Sequence, residues 1–414
     1  MTEKVSYIRE KDAKLNSFVC NVGRFLVSVL IVYYVFYNER YGHNTMIVYG
    51  SFVVLFICIC INLFFEGAIV FRDFHVGIWV NFIIGIYCIF PGYFVAFYTK
   101  ALLENVKTVL QYAFIIFSAF YLAQRTKNGI EWVLITINVA ALICFYSLLT
   151  NPFSKIGGRY SLSELNNPNT LGVAFVMGMF SVAYRFKPSF ARSLISLLQS
   201  GIMLYGIMLT GSRKSFITAI ILFVFFIWNM IKENRAHLKG HQKGLFTIVL
   251  FIIIFFSLRY LIDFYNNSDI SSRMNSMADD DSNDNRIYFY QKAFEVFLEK
   301  PFFGGGLEQF RYWSGIGSYA HSTYAESIAD FGLVGCLIYY YPILLTGFRI
   351  VSKIRNGKTS YQTKLIAVLY IGEMFLGIGQ IFFLDIYHYL MWLILYLSTN
   401  EHHISNGIKC KYIQ

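Results

Sequence analysis

A small set of side chains in this chain could do chemistry on a charged substrate. His321 is followed at once by Ser322, and then by Tyr324 and Glu326. An imidazole titrates near neutral pH, so it can take a proton from a hydroxyl. A His, a Ser and an acid also invite a hydrolase reading. No Gly-x-Ser-x-Gly elbow exists, however, and a Ser adjacent to its His has poor triad geometry. Arg213 stands in the polar turn Thr210-Gly211-Ser212-Arg213-Lys214-Ser215, between two long apolar runs. Charge at such a boundary is costly and usually functional, although a snorkelling interfacial anchor would place an Arg there too. Lys214 beside it reads as the anchor. Arg286 opens an apolar-striped stretch, where a cation opposes the helix dipole and hints at an anionic partner. A plain surface Arg fits that position equally well.

These residues need elements to hold them, and the composition says which kind. Of 414 residues 56% are hydrophobic and only 14% charged, well below the roughly 25% charged of soluble domains. Apolar stretches near the length a bilayer requires fall at about 21–38, 45–65, 75–97, 104–123, 130–150, 168–186, 191–210, 214–231, 244–263, 326–347, 362–380 and 382–399. The chain therefore reads as an all-α polytopic membrane protein of about twelve transmembrane helices. The expected organisation is a cytoplasmic N-terminal tail (1–20), helices one to nine (21–263), a large extracytoplasmic loop (264–325), helices ten to twelve (326–399) and a cytoplasmic tail (400–414). Met1 to Asn16 lacks the cleavage pattern of a signal peptide.

The net charge of +11 would suggest nucleic acid for a soluble chain. Here the cations sit in short links, and the positive-inside bias accounts for them. Lys and Arg on the expected inner side number 21 of 35, against 13 outside, six of which lie between Arg259 and Arg311 in or beside the large loop. No nucleic-acid partner is expected. The seven Cys lie mostly within apolar runs, with neither a disulfide framework nor zinc spacing.

The large loop is the anomaly, since long unstructured connections are uncommon and usually functional. Asp279-Asp280-Asp281 and Asp284 could be mistaken for a cation site, but their Ser/Asn-rich setting reads as solvated loop. A cap at Asp284 or Asn285 and the stripe Ile287, Tyr290, Phe294, Phe297 predict an amphipathic helix lying on the membrane surface or over the bundle. Pro301 and Gly304-Gly305-Gly306 end it. The triple glycine is not a P-loop, because no Gly-Lys-Ser/Thr follows. Gly332 and Gly335 read as a close-packing face. Glu373, in mid-span, suits a hydrogen bond to a neighbouring helix or a proton relay.

His321-Ser322-x9-Gly332-x-x-Gly335 resembles the signature of the bacterial O-antigen ligase and O-antigen/capsular polysaccharide polymerase superfamily. Arg159 through Asn166-Asn167-Pro168-Asn169, the turn Gly211-Ser212-Arg213, and Asn285-Arg286 on to Pro301-Phe302-Phe303-Gly304-Gly305-Gly306 agree in order and spacing. The resemblance covers about residues 155–340, with one departure: Ser322 stands where Asn is common. It implies a helical membrane fold similar to GT-C glycosyltransferases, no metal or other cofactor, and an undecaprenyl-diphosphate-linked oligosaccharide as substrate in the bacterial cell membrane. It also implies membrane lipid, a flippase and a chain-length regulator as partners. His321 would be the base; Arg213 and Arg286 would stabilise the departing diphosphate through paired hydrogen bonds. Arg159, Asn169, Tyr324 and Glu326 would contact substrate. The expected reaction is polymerisation of lipid-linked repeat units. A ligase delivering a finished polymer to another acceptor is the alternative, and a transporter or flippase of lipid-linked sugars the rival from another class.

Overall fold

The computed structural model describes residues 2–66, 74–126, 128–155, 159–164, 166–237, 240, 243, 244, 248, 251, 259, 281–357 and 360–400. Long apolar runs with few breakers can satisfy their backbone in lipid only as helices, and helices dominate. They are α1 (Thr2–Val32), running through a π-helical stretch Tyr33–Tyr37 into α2 (Asn38–Tyr41), then α3 (Thr45–Glu66), α4 (Val76–Val95), α5 (Thr99–Gln124) and α6 (Gly129–Thr150). After a short hairpin come α7 (Pro168–Tyr184), α8 (Phe190–Thr210) and α9 (Arg213–His237). Beyond the undescribed part of the large loop follow α10 (Asp281–Glu299), α11 (Phe310–Trp313), α12 (Thr323–Arg355), α13 (Tyr361–Leu376) and α14 (Ile386–Thr399).

Among the described residues, eight helical segments are long and apolar enough to cross a membrane: Lys14–Tyr41, Thr45–Phe64, Val76–Val95, Thr99–Gln124, Gly129–Thr150, Phe190–Thr210, Arg213–Asn234 and Thr323–Arg355. The remaining expected spans are of two kinds. α7, α13 and α14 form where expected but have only 17, 16 and 14 residues. The expected span at 244–263 falls mostly outside the described residues. The count of twelve is therefore not reached by length and composition. α7 and α14 are short for a reason visible in their burial. Val173, Phe175, Met177 and Phe180 are fully buried, and so are Leu390, Leu393 and Ile394. A helix apolar on all sides and walled in by others is the centre of a bundle.

One departure from an all-helical chain lies between α6 and α7. Phe153–Lys155 (β1) pairs antiparallel with Arg159–Ser161 (β2), with Phe153 opposite Ser161 and Lys155 opposite Arg159. The pair sets Arg159 at the start of a strand that leads directly to the cap of α7.

The element that orients the site is α12, and it is not one continuous helix. Gly332 has φ +61° and ψ −168°, a conformation open to Gly. The break frees backbone groups that a helix would consume, and the Pro301–Gly306 segment takes them up. Gly305 and Gly306 donate to the carbonyls of Ala329 and Asp330 at 2.8 and 2.9 Å, and Leu333 and Val334 donate to Pro301 and Phe302 at 2.8 and 3.0 Å. The Asp330 carboxylate accepts from the Glu308 and Phe310 amides, and the Tyr87 hydroxyl from α4 donates to the Phe331 carbonyl at 2.8 Å. A Cβ on Gly332 would meet Gly304 N at 2.5 Å. Gly332 is therefore a break stitched to the triple glycine; Gly335, facing Phe331 and Tyr87, serves close packing as expected.

Candidate active site

His321 sits at the mouth of α12, two residues before its first turn. Its backbone has φ +55°, unusual for a residue with a side chain and worth a functional explanation. Several contacts over-determine the position. Ser322 is the N-cap, its hydroxyl accepting from the Ala325 amide. Asn is an equally good cap, so the Ser-for-Asn departure leaves the local geometry intact. Thr323 ties this corner to the link between α13 and α14. Its amide donates to the Gly377 carbonyl at 2.9 Å. Its hydroxyl donates to the Gln380 carbonyl at 2.6 Å and accepts from the Phe382 amide. Glu326 is fully buried, and its carboxylate accepts from the Ala320 amide on the other side of His321.

The imidazole lies between two rings. Tyr319 approaches it at 4.1 Å between ring centroids, and Phe289 of α10 stacks on it at 5.7 Å with planes 13° apart. Burial first, then the charges of Arg286 and Lys214, hold its pKa below the ordinary histidine value. A proton on His321 is disfavoured by every one of these causes, so the ring is kept neutral and able to accept one.

Arg286 and Phe289 are one turn apart on α10, so the helix presents a cation and an aromatic to His321 together. α10 begins at Asp281, not at Asp284 or Asn285. Arg286 thus lies beyond the first turn, and the helix-dipole conflict expected of it does not arise. The apolar stripe also faces differently. Ala293 and Val296 are the buried positions, packed with Phe310, Ala320 and Ala329, whereas Ile287 and Phe294 are exposed. Small side chains let α10 approach the loop and α12 closely; the bulky ones cannot fit there and turn outward. Asp279 and Asp280 lie outside the described residues, as do the side chains of Asp281 and Asp284. Among the described residues no group of three or more His, Cys, Asp or Glu could hold a metal ion.

Arg213 is the first residue of α9, directly after Gly211 caps α8 with φ +62°. The sharp reversal places Arg213 and Lys214 together at one end of the bundle, where both Arg213 and Arg286 bear electrostatically on Lys214. Lys214 had read as a solvent-seeking anchor. Instead its ammonium is buried and has no hydrogen-bond partner among the described residues.

Arg159 and Asn169 are bound to each other, the Nη2 group donating to Oδ1 at 2.7 Å, while Nε donates to the Thr210 carbonyl at 3.0 Å. This guanidinium fastens the hairpin to the α7 cap and to the end of α8. The cap itself is Asn167, whose side chain accepts from the Asn169 amide at 2.9 Å with Pro168 next to it. Asn167 also lies beside the Tyr319 hydroxyl, on which Arg159 bears. Tyr319 therefore links the Arg159 cluster to His321.

Two of the expected substrate contacts point elsewhere. The Tyr324 hydroxyl donates to the Met374 carbonyl on α13 at 2.7 Å, and Glu326 is committed to the Ala320 amide. Glu373 pairs with His388 of α14 at 2.9 Å, both fully buried, which is the hydrogen bond to a neighbouring helix that its position suggested. Sequence reasoning passed over Tyr319, Phe289 and Thr323. An aromatic two residues before a His carries no signal of its own, and the Thr323 contact to Gln380 spans 57 positions.

His321, Arg286, Lys214, Arg213, Tyr319 and Arg159 thus form one continuous constellation drawn from four separate parts of the chain. No curated protein matches the sequence. Residues 198–340, which contain Arg213, Arg286, His321 and Gly332, match the family model of O-antigen ligase. Over that stretch the motifs and the match agree, and together they support a place in the O-antigen ligase and polymerase superfamily.

Proposed function

We propose that this protein is a membrane glycosyltransferase that polymerises lipid-linked oligosaccharide repeat units into a surface, capsular or exopolysaccharide. The growing glycan moves from undecaprenyl diphosphate to a sugar hydroxyl of the next lipid-linked unit. The observation that carries this reading is a neutral-biased His321 with Arg286 and Lys214 bearing on it and Arg213 next in line. That pairing suits a reaction that removes a proton at one end and releases a diphosphate at the other.

In this mechanism His321 takes the proton of the acceptor hydroxyl as its oxygen attacks the anomeric carbon. The bond from that carbon to the diphosphate breaks, and the electron pair leaves on the phosphate oxygen. Arg213 and Arg286 hold the departing group. Preorganised donors of this kind lower a barrier by about 2.7–4 kcal/mol each in a well-studied hydrolase. Arg159, already bonded to Asn169, acts by fixing the α8–α9 turn. Tyr324 and Glu326 act by holding the α12 mouth. Twelve spans in a GT-C-like arrangement, with 244–263 as the ninth and both termini cytoplasmic, complete the picture in a bacterial cell membrane. A flippase would supply the substrate and a chain-length regulator would bound the product.

A second reading has support of its own: the matched family bears the description O-antigen ligase. A ligase would use the same donor chemistry and deliver a finished polymer to a different acceptor. Polysaccharide size in cells lacking the gene, complemented with matched amounts of wild type, His321→Ala or Arg213→Ala, separates the two. A polymerase gives long ladders with wild type and single repeat units with both variants. A ligase leaves chain length intact and loses only attachment. Wild-type behaviour of both variants would sink the proposed site.

A further inference from the structure

Lys214 is the least expected member of the constellation. A lysine at the edge of an apolar helix normally extends its ammonium to water. Here Nζ is buried and makes no hydrogen bond to any described residue. The side chain runs across Gly379 in the α13–α14 link, where a Cβ would lie 2.1 Å from Nζ. The leading charges on Lys214 are Arg286 and Arg213, both cations. Lys214 and Arg286 are in turn the charges that bear on His321. An unpaired buried ammonium among other cations costs folding free energy, and among the described residues no hydrogen-bond partner offsets that cost.

We propose that Lys214 is a further catalytic residue, the one that receives the charge appearing on the diphosphate as it leaves. This rests on the polyprenyl-diphosphate reading of the site. A diphosphate esterified at both ends, to lipid and to sugar, carries two negative charges. When the sugar–oxygen bond breaks, the bonding pair stays on the terminal phosphate and adds a third, while the acceptor's proton goes to His321. Arg213 and Arg286 match the two charges present at the start. Lys214 supplies the third, and it counts in the transition state more than in the bound ground state. Interactions of that kind raise kcat and leave KM nearly unchanged. Gly379 is part of the same device, because any side chain there would displace the ammonium.

The test uses purified full-length protein in lipid nanodiscs, with inorganic pyrophosphate as probe and Lys214→Met and Gly379→Ala as variants. Wild type binds pyrophosphate and is thermally stabilised by it. Lys214→Met, which removes an unpaired buried charge without removing bulk, melts at a higher temperature than wild type when no ligand is added. It loses pyrophosphate affinity by roughly 10- to 100-fold, the scale of one charged hydrogen bond, and kcat falls with KM unmoved. Gly379→Ala shows the same affinity loss with the charge still present. If Lys214→Met melts lower and binds pyrophosphate as wild type does, Lys214 is structural and the inference fails while the diphosphate reading stands. If wild type itself binds no pyrophosphate, that reading falls and takes the inference with it.

Discussion

At the scale of single residues, the state of the His321 imidazole is set by what surrounds it. His321 lies against Tyr319 and Phe289 and under the field of two cations. Its pKa is held below the ordinary histidine value, so it stays neutral, as the proposed base must, at more acidic pH than a free imidazole would. The acidic limb of the pH–rate profile should therefore lie below about 6.5, the unperturbed value. Arg286→Gln removes a charge that opposes protonation, so it should move that limb upward in pH as well as lower the rate. A limb that stays put in Arg286→Gln would show that the two side chains do not interact. His321→Ala should reduce transfer by roughly 10²- to 10⁴-fold, the range for losing a positioned base, in a discontinuous assay of product. His321, Arg213 and Arg286 could be singled out as candidates from residue type and position alone, and the structure brings the charges of Arg286 and Lys214 to bear on His321. Lys214 was visible but misread, because a sequence cannot say whether a boundary lysine reaches water. Tyr324 and Glu326 were singled out for nearness in sequence to His321; on a helix that begins at Thr323, nearness in sequence turns them towards α13 and the loop.

At the scale of elements, the positions that matter are those where regular structure stops. α12 breaks at Gly332 so that the Pro301–Gly306 segment can lock into it, and this sets the tilt of the short helical piece behind His321. Gly332→Ala forces a side chain into a positive-φ site and against Gly304 and Phe302. It should cost about 1–3 kcal/mol, lower the melting temperature in detergent, and impair transfer with every reactive side chain still present. An unchanged melting temperature would mean that the break is not needed. Ser322→Asn should behave as wild type, whereas Ser322→Ala should lose about 1 kcal/mol with its cap; equal stability of the two would remove the capping role. The end of α10 was readable from Pro301 and the triple glycine, whereas its start lies at Asp281 rather than at the expected cap, Asp284 or Asn285. The face of α10 was not. Its bulky residues draw the stronger periodic pattern, yet Ala293 and Val296 make the contact because only small side chains allow it. A hairpin at Phe153–Ser161 was likewise hidden, three-residue strands being too short to show alternation.

At the scale of the whole molecule, apolar segment length and spacing were enough to place nearly every helix, because a bilayer allows a chain few other options. What length could not reveal is that α7 and α14 are enclosed by protein, where a span need not meet lipid along its sides. The proposed sidedness is checked by cysteine labelling on a background without native cysteines. Lys187→Cys should react with a membrane-impermeant maleimide only after permeabilisation, and Gly317→Cys in intact cells; the reverse pattern would invert the topology and put the site in the cytoplasm. The central claim is that one constellation removes a proton with His321 and releases a polyprenyl diphosphate into a set of fixed cations. It is tested most directly by purified protein, a defined undecaprenyl-diphosphate-linked oligosaccharide and no other enzyme, with free undecaprenyl diphosphate and glycan length measured together. Wild type should release one undecaprenyl diphosphate for each glycosidic bond formed, and His321→Ala should release almost none. Glycan growth without that release, or equal release by His321→Ala, would contradict it.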